Sequence, residues 1–142
     1  MKEVVINGEG LENKELNDKV ENAIIHKTKK IKLTNINGHR YISNGIKDNI
    51  EIEIHGTAGD DLGSFMDGPK IIIYGNAQDG LGNTMNNGSI IVHGDARDIV
   101  GHSMRGGKIM INGDVGYRVG IHMKEYKGNF PTIIAAGGAG DF

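Results

Sequence analysis

The stretch GTAGDDLGSFMDG (Gly56–Gly68) returns as GNAQDGLGNTMNNG (Gly75–Gly88) and again as GDARDIVGHSMRGG (Gly94–Gly107). Gly56, Gly75, Gly94 and Gly113 stand 19 residues apart, and so do Gly63, Gly82, Gly101 and Gly120. Met66, Met85, Met104 and Met123 keep the same step. So do the small residues Ala58, Ala77, Ala96 and Val115, and the aliphatic Leu62, Leu81, Val100 and Val119. Several columns in one register are the signature of a repeat architecture.

Each unit carries one strand signal. Ile52-Glu53-Ile54-His55 recurs as Ile71-Ile72-Ile73-Tyr74, Ile90-Ile91-Val92-His93 and Ile109-Met110-Ile111-Asn112. Successive strand residues point to opposite faces, so the first and third of each set, uniformly apolar, face inward. A 19-residue unit is too short for a strand plus a full helix. It fits short strands and tight bends stacked at the ~4.8 Å strand spacing, with like residues in ladders. The eight repeated glycines are then turn residues, placed where a bend needs φ > 0 or a close backbone approach. The expected fold is all-β, a single-stranded parallel β-helix. A left-handed hexapeptide helix would need a coil length divisible by six, which favours the right-handed form.

The flanks extend the pattern. Gly38 and Gly45 repeat the seven-residue glycine gap and suggest an earlier coil. A further coil is expected from Ile133, where Gly137-Gly138-Ala139-Gly140-Asp141 echoes Gly56–Asp60, with five residues inserted in the Glu125–Pro131 loop. The chain reaches Phe142 before that coil's second glycine, so either more chain existed or a neighbour covers an exposed coil end, a route to a homo-oligomer. Residues 1–30 read differently: a short strand at Val4–Ile6, then a helix from Asn13 to about Lys27. Leu16, Val20, Ala23 and Ile24 lie on one helix face and Asn13 is the expected N-cap. This segment would cap or cover the glycine-repeat β-helix of residues 31–142.

Composition narrows the function classes. A net charge of −2 gives no reason to expect nucleic acid or an anionic membrane. The absence of cysteine removes disulfides, thiolate nucleophiles and iron–sulfur ligation. No secretory leader and no ~20-residue apolar run is read, so a cytoplasmic protein is expected. There are 23 glycines, more than double the ~7% average, and no tryptophan.

Few residues suggest chemistry. Asp60, Asp79 and Asp98, with Asp141, form a carboxylate column that could hold a cation, but Tyr117 breaks it and turn-capping is the favoured role. His55 and His93 share a column with Tyr74 between them, too far apart for one metal ion. His102 and His122 fall on adjacent coils and could approach each other. A dinucleotide fingerprint needs glycines between a strand and a helix, which the repeat does not provide. The methionine column reads as packing. No catalytic, cofactor or metal residue is assigned. The residues facing outward on the strands, Ile72, Ile91 and Met110, form an apolar stripe, covered either by the N-terminal helix or by a partner.

The quoted repeats, with GDVGYRVGIHMKEY (Gly113–Tyr126), resemble the glycine-repeat (GXGXG) domain at the C-terminal end of the glutamate synthase large subunit, most closely its stand-alone versions. They are also similar to the glycine-repeat component of formylmethanofuran dehydrogenase. The resemblance implies a right-handed β-helix without catalytic residues. It would be a scaffold that positions an amidotransferase and an FMN-dependent synthase, with FMN and iron–sulfur centres in those partners. The family domain carries several more coils. The alternative is a component of the molybdenum- or tungsten-dependent formylmethanofuran dehydrogenase complex. A free-standing polysaccharide-acting β-helix is disfavoured by the scarcity of aromatic side chains for sugar stacking.

Overall fold

The computed structural model describes residues 3–140. Each isoleucine-rich segment forms a strand: β1 (Glu3–Asn7), β2 (Lys30–His39), β3 (Glu51–Ala58), β4 (Asp67–Tyr74), β5 (Asn87–Val92), β6 (Lys108–Ile111) and β7 (Thr132–Ala135). They pair in parallel, in chain order, as one sheet of a β-solenoid of about five turns. Register follows the repeat: Ile52 pairs with Ile71, Ile71 with Ile90, Ile90 with Ile109, and Ile109 with Ile133. Ile52, Ile71, Ile90 and Ile109 are fully buried, and so are Met66, Met85 and Met104. The methionine column therefore lies in the core, as expected from its regularity.

The two glycine columns serve different needs. A Cβ on Gly75 would fall on the carbonyl oxygen of Gly56, and one on Gly94 would come within 2.6 Å of the Gly75 carbonyl. Here the backbones of successive coils nearly touch: Gly94 N–H donates to Gly75 O, and Gly113 N–H to Gly94 O, both at 2.9 Å. The second column is left-handed backbone, with Gly63, Gly82, Gly101 and Gly120 at φ of 72, 68, 67 and 71°. It forms the middle of a left-handed triplet in every coil, as in Asp61/Gly63/Phe65 and Ile99/Gly101/Ser103.

The first coil corrects the sequence-based alignment. Ile36, not Gly38, pairs with Gly56, because β2 carries two irregularities that each absorb one extra residue. Ser43, at φ 65°, takes the place of Gly63: Gly63 N–H donates to Ile42 O just as Gly82 N–H donates to Leu62 O. Gly45 accordingly stands in the column of Phe65. The glycine spacing coincided with the repeat without sharing its register.

Between β1 and β2 runs helix α1 (Asn13–Ile25), which buries Leu16, Val20 and Ala23. Its N-cap is Glu12, not Asn13, and Glu15 accepts from the Glu12 N–H at 3.3 Å. Asn13 is engaged elsewhere: its Oδ1 accepts from the Arg40 N–H at 3.0 Å, while Asn17 Nδ2 donates to Arg40 O at 2.8 Å. Among the strands, α1 touches β1 and β2 alone. It closes the first coil and leaves the outer face of the later strands bare. At the other end Val119, Met123 and Ile133 are only partly buried around a hollow of about 490 Å³. Asp141 lies outside the described residues.

Candidate interaction face

Period-2 geometry and parallel register place three ladders on the outer face of the sheet. The central one runs Val5, Lys32, Glu53, Ile72, Ile91, Met110, Ile134. The register brings the expected Ile72, Ile91 and Met110 into one column and adds Ile134, which the five-residue insertion had hidden from simple counting. Ile72 and Ile91 are half-buried, supported by their neighbours, while Met110 is 36% and Ile134 46% exposed. With α1 at the first coil, no described element covers this stripe.

On one side of it stand His55, Tyr74 and His93. Their rings stack at centroid distances of 4.9 and 4.8 Å, and Asn112 Nδ2 lies 3.3 Å from His93 Nδ1. Tyr74 thus fills the gap between the two histidines. On the other side Lys30, Glu51 and Lys70 alternate, with ion-pair distances of 3.8 and 4.0 Å. These pairs are solvent-screened and contribute little stability. They do fix the polarity of the rim.

The remaining polar candidates are woven into the stack. Asp60 Oδ1 accepts from Asp79 N–H, Asp79 Oδ1 from Asp98 N–H, and Asp98 Oδ1 from Tyr117 N–H, at 3.1, 3.0 and 2.8 Å. The acceptor role is the expected one, but the amide served lies one coil later rather than in the same turn. A second ladder, Asn76, Asp95 and Asp114, does the same at 2.8, 2.7 and 2.7 Å. The sequence signal for it was the polar residue following each first-column glycine. His102 and His122 meet edge to face at 5.6 Å, and His102 Nδ1 is 3.1 Å from Ser103 Oγ. Burial raises the Asp61 carboxyl above its ordinary range, aided by Asp60 and Asp79 and opposed by Arg40.

Among the described residues no helix is long and apolar enough to cross a membrane. An uncharacterized protein of Methanocaldococcus jannaschii is 51% identical over 145 residues, an alignment covering all of this chain and 56% of that protein. The chain thus spans just over half the length of this relative. No solved structure matches. The family model described as the GXGXG motif matches residues 8–142, which take in helix α1 and all of the glycine columns. With the repeat, the parallel stack and this match in agreement, the chain belongs to the GXGXG family, that of the C-terminal domain of the glutamate synthase large subunit.

Proposed function

We propose that this chain is a non-catalytic scaffold of a cytoplasmic, glutamate-synthase-like complex, holding an amidotransferase and an FMN-dependent synthase in fixed relation. The observation that carries the reading is the bare apolar ladder Ile72–Ile91–Met110–Ile134 on a stiff parallel stack. Stacked aliphatic residues on an outer sheet face fit burial against another protein. Family membership supports the choice of complex. Iron–sulfur centres then belong to the partners, because this chain has no cysteine thiolate to offer a cluster, and FMN goes with the synthase partner. The partly exposed Val119, Met123 and Ile133 supply a second contact, through which two copies could associate end to end.

Reconstitution with the amidotransferase and synthase polypeptides of a glutamate synthase tests the reading. The chain should raise the yield of glutamate per glutamine hydrolysed. Ile91→Glu should abolish that gain with an unchanged circular dichroism spectrum. Equal coupling with and without the chain would end the proposal, and assembly instead with the pterin-binding polypeptides of a formylmethanofuran dehydrogenase would move the chain to that oxidoreductase.

A further inference from the structure

The five-residue insertion is an ordered hairpin, not a slack loop. Tyr126 and Asn129 exchange backbone hydrogen bonds of 3.1 and 3.0 Å, and Lys127 and Gly128 between them have φ of 52 and 81°. Two consecutive positive φ values at the centre of a two-residue loop are those of a type I′ turn. The hairpin rests on the stack at Gly106, where an added Cβ would meet Asn129 Cβ at 3.2 Å. The Arg105 guanidinium carbon and Lys127 Nζ lie 5.3 and 5.2 Å from the Tyr126 ring centroid, so one aromatic ring gathers two cations.

Lys108 stands on the same outer face as Met110, two residues before it, and pairs in register with Thr132. Lys124 opens the hairpin segment, in which Glu125 is the one carboxylate. Among the described residues the ion pairs are Lys14–Asp18, Lys30–Glu51, Arg40–Asp60, His55–Glu53 and Lys70–Glu51. None takes Arg105, Lys108, Lys124 or Lys127. Towards the first coils Lys30 and Lys70 share the Glu51 carboxylate; Lys108, on the face of Met110 and Ile134, has no such partner. Phe130, 71% exposed, adds apolar surface to the hairpin.

We infer that the Tyr126–Asn129 hairpin, with Arg105, Lys108, Met110 and Ile134, is a docking site for an acidic protein segment with apolar side chains at its centre. The inference deepens the scaffold reading and rests on it, since it names the chemistry of a partner at one end of the same face. Unpaired cations at the hairpin and at Lys108, next to the apolar Met110 and Ile134, match a partner of opposite charge in register. A nucleic-acid backbone is the poorer occupant, because the chain carries a net −2 charge and two aspartate-rich ladders that would repel phosphate.

The test is fluorescence anisotropy with three labelled probes: a ten-residue peptide alternating Glu and Leu, the same peptide with Gln for Glu, and a DNA duplex. The acidic peptide should bind at low salt. Affinity should fall about tenfold or more on raising salt to ~0.5 M, or in the variant Arg105→Glu, Lys108→Glu, Lys124→Glu, Lys127→Glu. A control pair, Lys14→Glu and Lys29→Glu, should leave it within twofold. Unaltered binding by the charge-reversed protein, equal binding of the Gln peptide, or tighter binding of DNA would each overturn the inference. Sedimentation velocity completes the test: dimers that dissociate in the charge-reversed variant would assign the site to a second copy and likewise overturn it. Coupling gained in reconstitution but no peptide binding sinks this inference alone; peptide binding without coupling sinks the scaffold assignment alone.

Discussion

Gly75 has no space for a methyl group, because the carbonyl of Gly56 occupies it and is itself backbone. Gly82 has a milder problem: a left-handed φ of 68° and the movable end of Ile109 nearby. Gly75→Ala should therefore cost more than about 3 kcal/mol, and Gly82→Ala about 1–2 kcal/mol. Urea denaturation of the two variants checks this, and equal losses would contradict the division between the columns. Ser43 occupies the glycine position of the first coil at φ 65°, with its hydroxyl buried and unpartnered. Ser43→Gly should stabilise by about 1 kcal/mol, read as a higher melting temperature, since relief of the left-handed strain and of the unpaired hydroxyl exceeds the added chain entropy. Asp61 holds its proton more tightly folded than unfolded. The associated stability is present below the ordinary aspartate value of 3.8 and is lost as pH rises through the raised value. Asp61→Asn should raise the melting temperature at pH 7 by about 1–2 °C and have no effect near pH 3. Both glycine columns were legible as columns. The close approach behind one and the left-handed turn behind the other were not, because spacing records recurrence and not its cause. Ile99 and Arg118, left-handed without being glycine, left no mark in composition.

At the scale of elements, the strands were legible because a buried apolar column at period 2 leaves no other reading for Ile71-Ile72-Ile73. The bulges in β2 were not, since nothing local distinguishes an extra residue in Asn35–His39 from an ordinary strand. The helix face was clear from Leu16, Val20 and Ala23, but amphipathic spacing says what is buried and not against what. The aspartate ladders belong to this scale too, each joining one coil to the next. Asp79→Ala removes the acceptor for the Asp98 N–H and should cost about 1 kcal/mol, while Asp79→Asn keeps a carbonyl oxygen there and should cost almost nothing. Chemical denaturation separates the two, and a large loss in the Asn variant would show that charge, not the hydrogen bond, matters.

The whole molecule is close to one-dimensional, each coil meeting only its neighbours. Among the described residues α1 packs on β1 and β2, while β7 pairs with β6 alone and its Ile133 is partly buried, so in this polypeptide opening should begin at β7. Native-state hydrogen exchange should show fast amides in 132–135 and the slowest in 52–54, 71–73 and 90–92. Uniform protection along the stack would contradict that gradient. The family was readable from several columns matching together; the basic hairpin was only a gap in the count until its turn could be seen. The inter-coil aspartate bonds carry one more implication. Each joins an oxygen to an amide 19 positions later, so an interior period could be removed and leave two matching cut surfaces. Such a protein behaves as a ruler graduated in steps of about 4.8 Å, and the separation it imposes on whatever it holds is written in the number of its repeats.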